Sequence, residues 1–338
     1  MPNDHQYHPL TIVDVVEETV DSRTFVFDVP TALEEHFAYR PGQFCTIRAS
    51  VGGAQIARSY SMSSAPELGE AMAVTVKRVP GGLMSNWMID SLVPGDRIDV
   101  LRPAGLFVLR HTDVPIVAFA GGSGVTPVFS LVKAALATTQ RRVLLVDANR
   151  DAGSVIFAEQ IRGLERDWSD RLVVHSHLDE LDGLLDPHAC ADLVGDRLDA
   201  DFYVCGPGPF MDAVEGGLAL LGVGDTQLFI ERFVTPGDIA PEVEEATTEL
   251  IVIKHQRRKT SGDYRSGDTI LDTARRLGVT PPFSCEGGSC ASCMALVDPG
   301  SAMMRVNNAL TPAEVEEGWV LTCQAVPTSR ELTVDYDA

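Results

Sequence analysis

Cys285-Glu-Gly-Gly-Ser-Cys290-Ala-Ser-Cys293 sets three thiols in a C-x4-C-x2-C spacing, and Cys323 follows after 29 intervening residues. Four thiolates in this plant-type spacing hold a [2Fe–2S] cluster, and the small residues Gly287, Gly288, Ser289, Ala291 and Ser292 let backbone N–H groups approach the sulfurs. A structural zinc site is the alternative, but it normally shows two short ligand pairs, whereas the first two cysteines here are five positions apart. Cys285, Cys290, Cys293 and Cys323 are therefore read as the metal ligands. The chain has seven cysteines, an odd number crowded toward one end, which suits a metal site in a reducing compartment better than a disulfide framework. Cys45 and Cys190 read as small buried hydrophobes.

Working outward, residues 249–338 open with a strand at Glu249–Lys254 and a helix near Ile270–Leu277 before reaching the cysteines. Upstream, Thr235–Ala246 holds two prolines, a glycine, four acids and no base, so 235–248 reads as a solvated acidic linker. Over 111–234, apolar runs at 115–120, 142–147, 171–176, 201–205 and 226–231 alternate with helical stretches such as Val128–Ala137 and Phe210–Leu221. That rhythm predicts an α/β domain with a parallel sheet covered on both faces. In residues 1–110, Thr24–Asp28, Gln43–Ile47, Met72–Lys77 and Arg97–Leu101 are separated by Pro-Gly turns, which predicts an antiparallel β-barrel or sandwich. The fold class is thus multidomain: an antiparallel β-barrel, an α/β parallel-sheet domain and an α+β domain carrying the cluster.

Two segments look built for phosphates. Phe119-Ala-Gly-Gly-Ser-Gly-Val-Thr-Pro127 follows the first strand of the second domain and opens a helix, where Gly121, Gly122 and Gly124 allow close backbone approach and Thr126 can bond a pyrophosphate. Cys205-Gly206-Pro207 ends another strand of the same sheet, at the carboxyl edge where such sheets bind ligands. A tight turn without a ligand would explain the first segment alone; the two together argue for a dinucleotide. In the barrel, Arg58-Ser59-Tyr60-Ser61 pairs a cation with an aromatic ring on one strand face, and Gly82–Ser85 begins a helix after Lys77. One arginine and one helix start suit a diphosphate, hence FAD over FMN.

Charge limits the partners. Lys and Arg total 27 against 48 Asp and Glu, a net charge of −21, so nucleic acid and anionic membranes are disfavoured. The N-terminus lacks a basic and apolar signal, and no stretch approaches the ~18 apolar residues of a membrane span, so a cytoplasmic protein is expected. Residues 281–338 hold eight acids and two bases. Part of this face, including Glu314, Glu316 and Glu317, is either a docking surface for a basic partner or a solvated helix.

The motifs together resemble the ferredoxin–NAD(P)+ reductase superfamily, with a plant-type ferredoxin of β-grasp-like fold fused at the C-terminus. Arg40-Pro-Gly-Gln-Phe44, Ala73–Arg78, Ser85-Asn-Trp87, Ala148-Asn-Arg150, Ser154–Phe157 and Cys205–Phe210 are most similar to the reductase components of 3-ketosteroid 9α-hydroxylases of steroid degradation; phenylacetyl-CoA epoxidase reductases resemble the chain less closely. The resemblance implies that Arg58, Ser59, Tyr60, Ser61, Val76, Lys77, Gly82, Met84 and Ser85 hold FAD, with Tyr60 on the ring and Ser61 near N5. It implies that Gly121, Gly122, Gly124, Thr126, Asn149, Arg150, Cys205, Gly206 and Pro207 face the dinucleotide, with Cys205 near the nicotinamide. Glu231 and Phe233 would lie beside the flavin, and Ser61, Cys205 and Glu231 would be catalytic. Asp147 and Asp151 at the end of the second strand would repel a 2′-phosphate and so favour NADH, while Arg150 argues for NADPH.

The expected function is an NADH-dependent oxidoreductase that passes electrons through FAD and the cluster to a terminal Rieske-type oxygenase. Flavin accepts electrons in pairs and a cluster carries one at a time, so no general acid or base is required and none of the eight histidines is promoted. A self-contained oxidase or NO-detoxifying system would need a haem or substrate-oxidising centre that no motif supplies. A non-enzymatic iron–sulfur redox sensor would not reduce artificial acceptors with NADH.

Overall fold

A computed structural model describes residues 7–233, 250–283, 286–288 and 291–338; the linker over 235–248 and the ligands Cys285 and Cys290 lie outside the described residues. The first domain has strands β1 (His8–Thr19), β2 (Ser22–Asp28), β3 (Phe44–Val51), β4 (Ala54–Ser61), β5 (Ala73–Lys77) and β6 (Arg97–Ala104), with helix α1 (Leu83–Ser91). They form one antiparallel sheet in the order β4-β3-β6-β1-β2-β5. The β3–β4 hairpin turns at Gly52-Gly53, both at positive φ, which a two-residue turn between twisted strands requires. Met62, just past β4, bridges Val74 of β5, so the two sheet edges meet and the sheet curls closed. Phe25, Phe27, Ile47, Met62 and Met88 fill its interior.

The second domain is a parallel sheet of β7 (Ile116–Gly121), β8 (Val143–Asn149), β9 (Leu172–Leu178), β10 (Asp201–Cys205) and β11 (Leu228–Glu231), ordered β11-β10-β7-β8-β9. Helices α2 (Val125–Thr138), α3 (Ala158–Asp167), α4 (Asp179–Asp182), α5 (Pro187–Val194) and α6 (Gly208–Leu220) follow in turn. Separate apolar clusters cover the two faces, one built on α2 and α3 and the other on α5 and α6. The chain leaves β7 on one side toward β8 and returns on the other through β10. The carboxyl ends of β7 and β10 therefore form the switch-point crevice where such sheets take ligands. Helix α2 starts three residues earlier than its apolar pattern suggests, because Pro127 lies in the first turn, where no amide donor is needed.

The third domain has β12 (Leu250–His255), β13 (Arg258–Asp263), β14 (Met294–Val297), β15 (Ala302–Met304), β16 (Trp319–Leu321), β17 (Ala325–Pro327) and β18 (Glu331–Asp335), with α7 (Ile270–Arg276) and α8 (Pro312–Glu316). The main sheet runs β13-β12-β18-β14-β16, with β12 and β18 parallel and the other pairs antiparallel. Helix α7 starts in a Thr269–Asp272 capping box and buries Ile270, Leu271 and Ala274. Among the described residues no helix is long and apolar enough to cross a membrane.

Candidate active site

A cavity of about 850 Å³ is walled by all three domains. Arg58, Ser59, Tyr60 and Ser61 enter it from β4, Thr75 and Lys77 from β5, and Gly82, Met84 and Ser85 from the start of α1. Ser123 and Thr126 come from the α2 start, Glu231 and Phe233 from the end of β11, and Phe44, Leu106 and Asn308 close the remaining side. The flavin residues expected from the sequence are thus gathered, with one departure. Val76 points into the barrel core with no exposed surface, and its neighbours Thr75 and Lys77 form the wall instead. Strand alternation explains this, since adjacent side chains face opposite ways.

The wall suits a flavin diphosphate. Arg58 is exposed and, among the described residues, its guanidinium bonds only the Ala57 carbonyl, at 2.7 Å. Ser85 Oγ accepts the Val79 N–H at 3.2 Å, which leaves its own O–H to donate; a Cβ on Gly82 would sit 2.8 Å from that oxygen, so glycine is needed there. Lys77 brings its ammonium to 3.9 Å from where a Gly122 Cβ would lie, joining the barrel wall to the α2 start.

At the switch point the glycines have a second role. A Cβ on Gly124 would stand 2.1 Å from the Cys205 carbonyl oxygen, and Cβ atoms on Gly121 and Gly206 would strike the Phe210 ring at 2.8 and 2.6 Å. They let the α2 and α6 starts close on each other, with Pro207 capping α6, so that two helix starts flank one crevice. Thr126 Oγ1 donates to the Ser123 carbonyl at 3.0 Å, so here the anion-binding capacity rests on backbone amides.

Ser61, Glu231 and Cys205 come together. Ser61 Oγ donates to Glu231 Oε2 at 3.0 Å, and Glu231 is the β11 register partner of Cys205 on β10. Burial pushes the Glu231 carboxyl up to about 8, with the Ser61 bond acting the other way. Burial, and then the Glu231 charge, hold the Cys205 thiol well above its ordinary range. Cys205 is therefore a neutral thiol behind the wall and not an activated nucleophile.

Asn149 and Arg150 lie at the end of β8, where Arg150 is open but Asn149 is buried with its amide turned to Asp147 and does not face a dinucleotide, and the acids beside them also correct the reading of the sequence. Asp147 does not face solvent: it is buried, receives Asn149 Nδ2 at 3.0 Å, and its carboxyl rises to about 7 through desolvation. Asp151 accepts Arg150 Nε at 2.7 Å and its backbone N–H bonds Ser154 Oγ. Neither acid stands free to repel a phosphate; Asp151 instead occupies the Arg150 guanidinium, which would attract it.

In the third domain Cys293 and Cys323 are buried, and Thr322 ties them by donating through Oγ1 to the Cys293 carbonyl at 2.8 Å. Glu286, Gly288 and Ala291 adopt positive φ. Ser292 Oγ, beside Cys293, is buried with no partner among the described residues, an O–H free for a sulfur acceptor, so the described residues fit an iron–sulfur cluster. Arg275 braces the loop through a two-point bond to Glu286 at 2.8 and 3.0 Å. The acidic face loses one member: Glu314 Oε1 accepts Arg102 of β6 at 2.9 Å and Oε2 accepts the Thr311 N–H. Leu106 and Asn308 carried no signal in the sequence, and Phe44 was marked only as part of the Arg40–Phe44 motif, because their role appears only once the barrel and the third domain meet.

Comparison with known proteins agrees with this architecture. Residues 9–109 match the oxidoreductase FAD-binding domain family, 119–216 the oxidoreductase NAD-binding domain family and 253–328 the 2Fe-2S iron-sulfur cluster binding domain family. The chain is 37% identical to the 3-ketosteroid-9-alpha-monooxygenase ferredoxin reductase component of Rhodococcus rhodochrous, over 97% of this chain and 96% of that one. It is 32% identical to one of the 1,2-phenylacetyl-CoA epoxidase subunits of Escherichia coli, over 98% of both. Phthalate dioxygenase reductase shares the fold with a TM-score of 0.58 at 22% identity, covering 97% of this chain and 98% of that one. The chain therefore belongs to the family of oxygenase reductase components that carry electrons through FAD and a 2Fe-2S cluster, as the resemblance in its motifs implied.

Proposed function

We propose that the chain takes hydride from NADH and delivers single electrons to a terminal oxygenase component, a 3-ketosteroid 9α-hydroxylase. The observation that carries the electron route is the shared cavity, which brings the Arg58–Ser61 wall, the α2 start, Glu231 and Asn308 of the third domain to one space, while the choice of oxygenase rests on the 37% identity to the steroid reductase component. Bound there, FAD supplies the conversion of a two-electron hydride into single electrons, and the cluster supplies a one-electron carrier.

The chain's own residues bind, orient and exclude water. Arg58 and Ser85 would hold the flavin phosphates, Tyr60 would cover its ring, and Phe233 would lie beside it in the cavity wall. The paired helix starts at Gly121–Thr126 and Gly206-Pro207 would hold the dinucleotide pyrophosphate, and the exposed Arg150 would face its adenosine end. Ser61 Oγ and the protonated Glu231 carboxyl hold a proton beside the reacting atoms, while Cys205 packs against them as a neutral thiol. NADH is favoured over NADPH because Asp151 already neutralises Arg150. Cys285, Cys290, Cys293 and Cys323 hold the cluster.

The test is to supply NADH and follow ferricyanide and cytochrome c reduction, then pair the purified protein with candidate oxygenases. Both acceptors should be reduced, Cys323→Ser should abolish only cytochrome c reduction, and turnover should follow with the 3-ketosteroid oxygenase. No NADH-driven reduction would mean a redox sensor, and turnover only with a phenylacetyl-CoA epoxidase would overturn the steroid assignment.

A further inference from the structure

We propose that the Arg102–Glu314 ion pair is a clasp that holds the cluster domain on the flavin barrel in the position from which the cluster is reduced, making both side chains positioning residues for internal electron transfer. The inference rests on the proposed function for the electron's route, but the clasp itself stands on geometry.

The seam it closes is continuous from cavity to cluster loop. Phe44 of β3 leaves the barrel interior and packs among Leu310, Trp319, Cys293 and Cys323 of the cluster domain. Gly105, at φ 120°, makes room for it, since a Cβ there would stand 3.0 Å from the Phe44 ring. One step along, Leu106 N–H donates across the seam to the Asn308 carbonyl at 3.3 Å, and Asn308 N–H donates to Gly288 of the cysteine loop at 2.9 Å. Leu106 and Asn308 also line the flavin cavity. The same few residues thus touch the cavity on one side and the cluster loop on the other.

An apolar plug and a backbone hydrogen bond fix contact without fixing an orientation. The ion pair supplies a direction. Its side chains are 26% and 17% exposed, which protects it from the screening that makes most surface pairs ineffective. Glu314 is also ordered beforehand, because Thr311 N–H and Oγ1 both donate to its Oε2 at the start of α8. Although burial acts to raise it, these bonds and the Arg102 guanidinium keep the Glu314 carboxyl below its ordinary value, so it stays charged. Each hydride from NADH brings two electrons to the flavin. They leave one at a time, each reducing one ferric ion of the cluster to ferrous before the next acceptor reoxidises it, and the flavin proton goes to solvent.

The test is a double-mutant cycle in the full chain carrying FAD and cluster. Glu314→Gln keeps the capping bonds and loses the charge; Arg102→Gln removes the partner; Arg102→Lys restores the charge. Two signals are read: hydrogen exchange at the Leu106 amide, and the rate of cluster reduction after rapid mixing with NADH. Each Gln variant should speed Leu106 exchange and slow cluster reduction about fivefold with flavin reduction unchanged, and the double variant should also lose about fivefold, not the ~25-fold of independent sites. Arg102→Lys should stay within about twofold of wild type. Unchanged Leu106 exchange in both Gln variants, or additive losses in the double variant, would overturn the clasp. A wild-type flavin that NADH cannot reduce would refute the proposed function instead, and the exchange cycle would still decide the clasp.

Discussion

Replacing Glu231 with Gln tests whether a neutral carboxyl in the cavity wall matters for hydride arrival. The side chain donates or accepts beside Ser61 Oγ, 3.0 Å away, and its carboxyl rises from the ordinary 4.5 to about 8 because burial penalises the anion. At 1.36 kcal/mol per pH unit, that makes ionisation about 5 kcal/mol costlier than in water, and leaves about ten protonated molecules for each ionised one at pH 7. Above pH 8 the carboxylate forms. A carboxylate there would repel the negative charge that a hydride brings, and a unit-charge repulsion of about 3 kcal/mol, the order expected at an effective dielectric of about 20, would slow hydride transfer by as much as about a hundredfold. Filling the cavity expels more water and moves the midpoint up, not down. Stopped-flow reduction of the flavin by NADH between pH 6 and 10 should fall through a midpoint at or above 8 in the wild type. In Glu231→Gln, which keeps the Ser61 bond and cannot ionise, it should stay level. The same alkaline fall in the Gln variant would refute the reasoning.

Asp147→Asn should stabilise the fold at pH 8 by about 1–3 kcal/mol, because the native carboxyl rises to about 7 and neither Asp147 Oδ1 nor Asn149 Oδ1 has a partner among the described residues. The sign follows from proton counts: between pH 3.8 and about 7 the folded chain keeps a proton the unfolded chain has lost, so stability declines as pH rises through that window and thermal unfolding of the variant should lack that slope. Gly124→Ala should cost at least about 3 kcal/mol in the same assay, since its Cβ meets backbone 2.1 Å away that cannot turn aside. Asp151→Asn should free Arg150 and raise the NADPH-to-NADH ratio of kcat/KM about tenfold; an unchanged ratio would remove Arg150 from the 2′ position.

Elements with a strong local cause are legible in the sequence. The parallel strands announce themselves as apolar runs and the cluster as a thiol spacing, and Arg58, Tyr60, Ser61, Thr126 and Glu231 do converge on one cavity. Asp147 escapes a sequence reading for a physical reason. Every residue of β8 is buried, since a central parallel strand is covered on both faces, so an acid near its end gives no alternation from which to infer which way it points. Asn308 is invisible, and the role of Phe44 is unreadable from its motif, because both depend on contacts between domains more than 200 residues apart in the chain.

Glu314 shows where a local signal is present and outweighed. Among eight acids and two bases over 281–338 it looks like one more solvated charge, and a docking surface for a basic oxygenase is the natural thought. Yet Thr311-Pro-Ala-Glu314 is a capping box, which fixes the carboxylate against its own helix start and commits one oxygen before any partner arrives. The other oxygen then finds Arg102 within the same chain. An acid so placed is poor at meeting a diffusing partner and good at orienting a domain. If the acidic face recruits an oxygenase, the work falls to Glu316 and Glu317, which are exposed, and charge reversal there should weaken salt-sensitive partner turnover while leaving cluster reduction by NADH intact.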